Sequence, residues 1–396
     1  MEITLTPPFR GEDVAVSPRV PERESRAAAW LIALLDEAGI RVNPPDPKPW
    51  DLRVRDPRFF RRALAQGSLG LGEAYMEGWW DCENLDEAFC RFLGKRLERR
   101  LPKSLPVWLG LLQSKVFNLQ SRRRSMTVAC VHYNLGNDFY RDILDSRMQY
   151  TCAYWQGAAD LEEAQERKLD LVCRKLDLRP GMTVLELGCG WGGFARFAAE
   201  RYGCRVKAYN ISERQVEYAR EKVRGLPVEI MLEDYRRAQG LFDRVVSIGL
   251  CEHIGHKNYP GFFRLIHRCL KGGGLALVHT IGGNHSVTRM DAWLDRYIFP
   301  NAMLPSAAQL VKAAENLFVL EDWHNFGPDY DRTLMAWRAN FVRHWERHRE
   351  KFGETFRRMW DYYLLGCAGS FRARKNQLWQ IVLSKRGVPG GYVPVR

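Results

Sequence analysis

The residues best suited to do chemistry in this chain lie in three places, and the first is the stretch 183–193, TVLELGCGWGG. A short apolar run, Val184 to Leu187, leads into Gly188, Gly190, Gly192 and Gly193, and a helical segment follows over 194–202. A buried strand that ends in a glycine-rich turn and opens a helix builds a ligand site from backbone. Glycine permits close approach, and the helix N-terminus offers free N–H groups. Gly188, Gly190 and Gly193 satisfy GxGxxG, so a nicotinamide dinucleotide is one reading. That reading calls for a carboxylate about 20 residues on, at the end of the next strand, to hold the ribose hydroxyls. The next strand, 205–209, ends in Asn210-Ile211-Ser212 with Gln215 beyond, and no carboxylate stands there. Glu186, just before the first glycine, suits the amino group of a methionine-type ligand, which makes S-adenosylmethionine the better reading.

The second and third places supply acid–base groups. A strand over 243–248 runs into SIGLCEHIGHKNY, which puts Glu252 and His253 at the cofactor end of a sheet. A strand over 275–280 ends in LVHTIG and brings His279 and Ile281 to the same end. In open α/β sheets, ligands bind outside the carboxyl ends of the strands, so these groups can share one site. Glu252 reads as functional, His279 more as functional than as a hydrogen-bonded strand end, and His253 evenly as functional or packed. Cys152 and Cys367 stay open by pattern alone, because free cysteine is among the most buried residue types. A nucleophilic thiol needs a depressed pKa and a base.

These groups require a scaffold that sequence periodicity supplies. From Gly181 onward the chain alternates strands (183–187, 205–209, 228–232, 243–248, 275–280) with helices (194–202, 213–224, 259–270). This is the pattern of a doubly wound α/β sheet. Helical stretches follow at 291–298, 306–316 and 331–375 around a strand at 318–323, and 378–384 is expected as an antiparallel edge strand. Before the sheet, residues 1–24 are rich in proline and charge, and Ser25 is expected to cap a helix over 26–38 that Gly39 ends. A helix over 57–66, a glycine-rich turn over 67–80 and a helical stretch over 85–101 make a small helical N-terminal domain. The expected division is 1–115 for that domain, a basic linker at 116–130, and 131–396 for the sheet domain. A further helix is expected over 161–176.

Composition narrows the class. The chain has 396 residues, 46% apolar and 27% charged, which suits a globular protein with room for two domains. The longest apolar run, 27–35, is far short of the ~18 residues of a membrane span. The N-terminus MEITLTPPFRGEDV carries no basic-then-apolar leader, so a cytoplasmic location is expected. Ten cysteines without CxxC pairs argue against zinc and against a disulfide framework. The formal charge is +13, and much of it lies between Arg91 and Arg124, where basic residues crowd around a single acid, Glu98. Phe92, Leu97, Trp108 and Leu112 interleave with them, which favours an anionic membrane surface over nucleic acid.

With these segments in view, the chain resembles the cyclopropane-fatty-acyl-phospholipid synthases. The likeness runs through RDPRFFRRALAQGSLGLGEAYMEGWW, HYNLGNDFY, MQYTCAYW, VLELGCGWGG, CEHIGHKNY, HTIG, YIFPNAMLPS, EDWHNFGPDYDRTLMAW and CAGSFRARKNQLWQ. The resemblance implies a Rossmann-like class I methyltransferase domain joined to a helical N-terminal domain. It implies methyl transfer from S-adenosylmethionine to a cis double bond of a phospholipid acyl chain, followed by ring closure. The mycolic-acid branch of this family lacks the N-terminal domain, so its presence points to a phospholipid substrate.

By motif, the resemblance sets the cofactor against Tyr150, Thr151, the turn Glu186, Gly188, Cys189, Gly190, Trp191, Gly192 and Gly193, then Asn210, Ile211, Gln215, Asp234 and Tyr235. It also implies a bicarbonate held by Cys152, Glu252, His279, the backbone of Ile281, and Tyr330. Cys367 matches a cysteine once assigned as nucleophile in the family. Direct methyl transfer to an alkene needs no covalent enzyme intermediate, so Cys367 reads as structural. An alkene is a weak nucleophile and must be positioned against the sulfonium methyl. The carbocation that follows is stabilised by aromatic faces and quenched by water, and Tyr150, Trp155, Phe299, Trp323 and Tyr330 are the candidates. A base must then take one proton from the new methyl. The expected partners are an anionic phospholipid bilayer surface on the inner face of the membrane, the unsaturated phospholipid, and a second copy of the chain in a homodimer, with no nucleic acid. Rival readings are methylation without ring closure, a small-molecule methyltransferase, and a basic surface-binding protein without catalysis.

Overall fold

The computed structural model describes residues 22–101 and 135–396. The expected linker at 116–130 and most of the basic stretch lie outside the described residues. The first described part is helical: α1 (Glu22–Asp36), α2 (Arg58–Gln66), α3 (Ser68–Met76) and α4 (Leu85–Gly94), with a two-stranded ribbon of β1 (Arg53–Val54) and β2 (Trp80–Asp81). Two short expectations are corrected here. The first helix starts at Glu22, ahead of Ser25, so Ser25 is not its cap. Residues 67–80 are not a turn but mostly helix α3. The glycines that suggested a turn serve packing: a Cβ on Gly72 would stand 2.3 Å from the indole of Trp293, so only glycine lets α3 seat against that ring.

After α5 (Asn137–Ile143) and α6 (Leu161–Lys175), the chain builds one seven-stranded sheet. Asp160 caps α6 by accepting the N–H of Glu163, and Glu162 and Glu163 add negative charge to its first turn, where the helix dipole favours it. The strands are β3 (Thr183–Leu187), β4 (Arg205–Asn210), β5 (Val228–Leu232), β6 (Phe242–Ile248), β7 (Leu270–Gly283), β8 (Val319–Asn325) and β9 (Asn376–Ser384). Their spatial order is β5-β4-β3-β6-β7-β9-β8, parallel from β5 to β7, with β9 antiparallel to both neighbours. The last strand is therefore not the edge: it inserts between β7 and β8, and β8 forms the edge. A strand with every residue after the first buried, as β9 has, belongs inside a sheet.

The helices are α7 (Gly193–Tyr202), α8 (Glu213–Lys222), α9 (Cys251–Ile254), α10 (Tyr259–Cys269), α11 (Ala292–Tyr297), α12 (Ala307–Ala314), α13 (Pro328–His344) and α14 (Arg349–Arg372). The expected single helix over 331–375 is two helices parted by a 3₁₀ turn at Trp345–Arg347, and α14 is itself kinked at Gly353, where φ is 72°. Strand order reverses between β3 and β6, and the crevice at their carboxyl ends is where such sheets hold ligands. Separate apolar clusters pack the sheet, one containing Val184 and Phe194 and another containing Leu185 and Phe262. A further cluster joins α1–α4 to α13 and α14 through Phe59, Trp80, Trp293, Trp360 and Tyr362. The N-terminal helices and the C-terminal helices thus share one continuous core.

Candidate active site

The turn after β3 is tied down by backbone. The N–H groups of Gly188 and Cys189 both donate to the carbonyl of Tyr209 at the end of β4, at 3.0 and 3.1 Å. Gly190 has φ 52°, and a Cβ there would meet nothing within 4 Å, so it borders open cavity. Gly193 has the opposite role, because a Cβ would lie 2.2 Å from Gln149 Nε2 and 2.4 Å from the carbonyl of Arg147. Gly192 likewise faces α8 through Ala219, and neither Gly192 nor Gly193 lines the cavity. A side chain at either position would collide with protein atoms, so packing requires glycine at both.

The cavity itself, about 240 Å³, is lined by nearly all the remaining residues singled out from sequence. Tyr150, Thr151, Glu186, Gly188, Cys189, Gly190, Trp191, Asn210, Ile211, Gln215, Asp234 and Tyr235 line it, and so do Cys152, Glu252, His253, His279, Ile281 and Tyr330. Asn210 braces the turn by donating to the Gly190 carbonyl at 2.9 Å and to Gln215 Oε1 at 2.8 Å, while its own oxygen accepts the Ile211 N–H at 2.7 Å. The Asp234 carboxylate is held by the N–H and guanidinium of Arg236. Glu186 is buried, its Oε2 has no partner among the described residues, and burial pushes its carboxyl up to about 8. Such a carboxylate is stabilised by an arriving ammonium group, so the site fits the amino end of a methionine-type ligand.

Glu252 Oε1 accepts the N–H of Ile281 at 2.7 Å, and Glu252 Oε2 has no partner among the described residues. Burial raises the Glu252 carboxyl to about 7. The Ile281 N–H is thereby engaged by Glu252. The Gln380 amide nitrogen lies 3.3 Å from His279 Nδ1. An amide nitrogen only donates, so Nδ1 accepts and the ring hydrogen sits on Nε2, which has no partner among the described residues. Burial holds His279 neutral, with its pKa well below the usual range. His253 is also held neutral by burial, down to about 4, with its ring 6.0 Å from that of Phe299.

Tyr330, in the first turn of α13, is buried, and burial holds its phenol protonated. Tyr150 and Tyr363 pair hydroxyl to hydroxyl at 3.0 Å, and with Phe299 they supply aromatic wall to the cavity. Of the aromatic candidates, Trp155 and Trp323 do not line it: Trp155 donates its indole N–H to Thr333, and Trp323 packs on Trp379. Cys152 is wholly buried, its Sγ donates to the Ala153 carbonyl at 3.2 Å, and burial keeps it a thiol. Cys367 lies outside this cavity on the wall of a neighbouring one, and burial pushes its thiol up to about 12.

Sequence reading missed Lys168. It is fully buried on the inward face of α6 and donates to Gln149 Oε1 at 2.6 Å and Thr151 Oγ1 at 2.9 Å. Burial lowers its ammonium to about 8, and its charge acts on Glu186. Within a helix as polar as EEAQERK, nothing in spacing marks one lysine as the buried one.

Comparison with known proteins gives the family of the chain. The sequence profile of the mycolic acid cyclopropane synthetase family matches residues 120–381. The chain is 49% identical over 358 residues to the cyclopropane-fatty-acyl-phospholipid synthase of Escherichia coli (strain K12), covering 90% of this chain and 93% of that one. It is 34% identical over 260 residues to cyclopropane mycolic acid synthase 1 of Mycobacterium tuberculosis, covering 61% of this chain and 91% of that one. Among solved structures, mycolic acid cyclopropane synthase CmaA1 complexed with SAH and CTAB superposes with a TM-score of 0.62 at 32% identity, over 66% of this chain and 98% of that one. This chain belongs to the cyclopropane synthase family of S-adenosylmethionine-dependent methyltransferases.

Proposed function

We propose that this chain methylates the cis double bond of an unsaturated phospholipid acyl chain and closes a cyclopropane ring across it. The observation that carries the reading is one cavity lined by two sets of groups. The glycine-rich turn and Glu186 are the first set. Buried Glu252 and His279, each with a polar atom unpartnered among the described residues, and Tyr330 are the second. S-adenosylmethionine, when bound, supplies an electrophilic methyl group on a sulfonium. Glu186 receives the amino end of the donor, and Gly190 lets the backbone lie close beside it.

The alkene carbon forms a bond to the methyl as the sulfur–methyl bond breaks, leaving a carbocation on the adjacent carbon. Tyr150, Phe299, Tyr330 and Tyr363 present aromatic faces to that charge and keep water out. One proton must then leave the added methyl so that its electron pair closes the ring. Glu252 provides the negative charge for that removal, and neutral His279 and protonated Tyr330 offer hydrogen bonds that orient an acceptor. Bicarbonate, when bound among Glu252, His279, Tyr330 and Cys152, would supply a small base at that point; the unpartnered Glu252 Oε2 and His279 Nε2 fit such a group.

The basic, apolar-interleaved segment supports docking at an anionic lipid surface, where each juxtamembrane cation contributes up to about 1 kcal/mol. No described helix is long and apolar enough to cross a membrane. The test is incubation with a trideuteromethyl donor and vesicles of dioleoyl phosphatidylglycerol. Cyclopropane methine protons on the two former alkene carbons, with two of three deuteriums retained on the new ring carbon, support the reading. A methyl branch with all three retained, or unmodified lipid, overturns it.

A further inference from the structure

A second, larger cavity of about 760 Å³ lies between the N-terminal helices and α14, and neither the turn nor the acid–base groups belong to it. Its walls are apolar, formed by Leu35, Phe59 and Leu71 from one side and by Trp293, Tyr362 and Cys367 from the other. It adjoins the first cavity: Met290, Leu304 and Tyr363 line both. Its volume falls within the ~300–1,000 Å³ typical of ligand sites.

One rim of this cavity is cationic. Arg96 and Arg99 come from the 3₁₀ turn after α4, His285 from the loop after β7, and Arg374 and Lys375 from the end of α14. These five are exposed. Lys375 is taken by Glu98 at 2.6 Å, but among the described residues Arg96, Arg99 and Arg374 have no carboxylate partner. Arg99 instead donates to His285 Nε2 at 2.6 Å, which joins the two loops across the rim without neutralising either. An apolar chamber that adjoins the cofactor cavity, fringed by guanidinium groups with no carboxylate partner among the described residues, suits an acyl chain ending in a phosphate ester.

We propose that this cavity holds the glycerophosphate end of the phospholipid substrate and the acyl segment next to it. Arg99 and Arg374, with Arg96 beside them, bind the phosphate, and the chain passes Cys367 and Tyr363 to reach the donor methyl. This rests on the cyclopropane reading, and it gives the N-terminal helices a direct part in substrate selection beyond membrane attachment.

The test uses the whole protein in neutral nonionic-detergent micelles, so that general attraction to an anionic surface does not contribute. Dioleoyl phosphatidylglycerol is compared with dioleoylglycerol, which has the same chains and no phosphate. The wild type should show a KM for the phospholipid lower by about tenfold or more, the usual worth of one or two charge-assisted bonds. Arg99→Gln combined with Arg374→Gln should raise the phospholipid KM towards that of dioleoylglycerol, with kcat and S-adenosylmethionine affinity little changed. Leu71→Trp, which fills the chamber away from both rim and site, should weaken both lipids alike. Equal KM values for the two lipids in the wild type, or an arginine variant that weakens both equally, would overturn the phosphate site. Unchanged kinetics in Leu71→Trp would overturn the chamber. A wild type that modifies neither lipid would instead defeat the cyclopropane reading itself, and this proposal with it.

Discussion

Glu252 Oε1 and the backbone N–H of Ile281, 2.7 Å apart, tie the segment after β6 to the body of β7 and leave the second oxygen of Glu252 without a partner. The contact holds the carboxylate at one angle, and burial decides its charge. Glu252→Gln retains an oxygen for Ile281 and loses the charge. General-base contributions are typically ~10²–10⁴ in rate, so kcat should fall by about that factor in stopped assays of labelled methyl transfer. Titration calorimetry should show donor affinity nearly unchanged, since Glu186 and the turn, not Glu252, are assigned to the donor. Near-normal turnover with a lower melting temperature would mean that Glu252 only braces β7.

The raised carboxyl of Glu252 also sets a pH dependence. Burial moves it to about 7 in the folded chain, from an ordinary value near 4.5. The charged form is the active one, so kcat/KM should rise with pH through about 7, and this acid limb should vanish in Glu252→Gln. The stability effect has the opposite sign. Between its unfolded and folded values the folded state binds more protons, so the Glu252 contribution to stability is present below about 4.5 and is lost as pH rises through about 7. Denaturant melts of wild type and Glu252→Gln across pH 4.5–8 should therefore converge at the low end and diverge at the high end, with the variant the more stable there.

Gly190 stands at φ 52° beside empty cavity. A β-branched side chain there is strained in backbone and occupies the space a ligand would need. Gly190→Val should abolish S-adenosylmethionine binding by calorimetry while circular dichroism shows the fold retained. Undiminished affinity would disprove the assignment of the turn.

Lys168 holds Gln149 and Thr151 in place from within the core. Lys168→Met leaves the buried Gln149 Oε1 unsatisfied, at about 1–3 kcal/mol, takes a donor from Thr151, and removes the positive charge that acts on Glu186. Donor affinity should fall and the melting temperature should drop together. A drop in stability alone, with donor affinity intact, would confine Lys168 to a packing role.

Cys367 has its thiol pushed up to about 12 and lies on the wall of the second cavity. A group that stays protonated at neutral pH is a poor nucleophile. Cys367→Ala should keep kcat within about threefold of wild type, any change arising in lipid KM. Loss of activity by the ~10²-fold or more expected for a catalytic group would restore a chemical role.

Much of the site was legible from sequence because its parts are local. A strand, a glycine-rich turn and a helix are consecutive in the chain, so 183–193 reads as a cofactor turn without any tertiary information. Glu252 and His279 follow because Glu252 comes just after β6 and His279 lies near the carboxyl end of β7, and the carboxyl ends of adjacent parallel strands meet at one rim. The misreadings share a cause, which is that packing partners are distant in sequence. The glycines of 67–80 look like a turn until Trp293, more than two hundred residues on, is seen against Gly72. Strand β9 resembles an edge because it comes last, yet hydrogen bonding to both β7 and β8 puts it inside. Lys168 looks solvated on a polar helix until burial against Gln149 and Thr151 singles it out. The residue types and their local spacing determined which chemistry this chain can hold. Only the tertiary structure decided which polar atoms are left unpartnered in the core, because burial and pairing are properties of contacts between segments that the sequence keeps far apart.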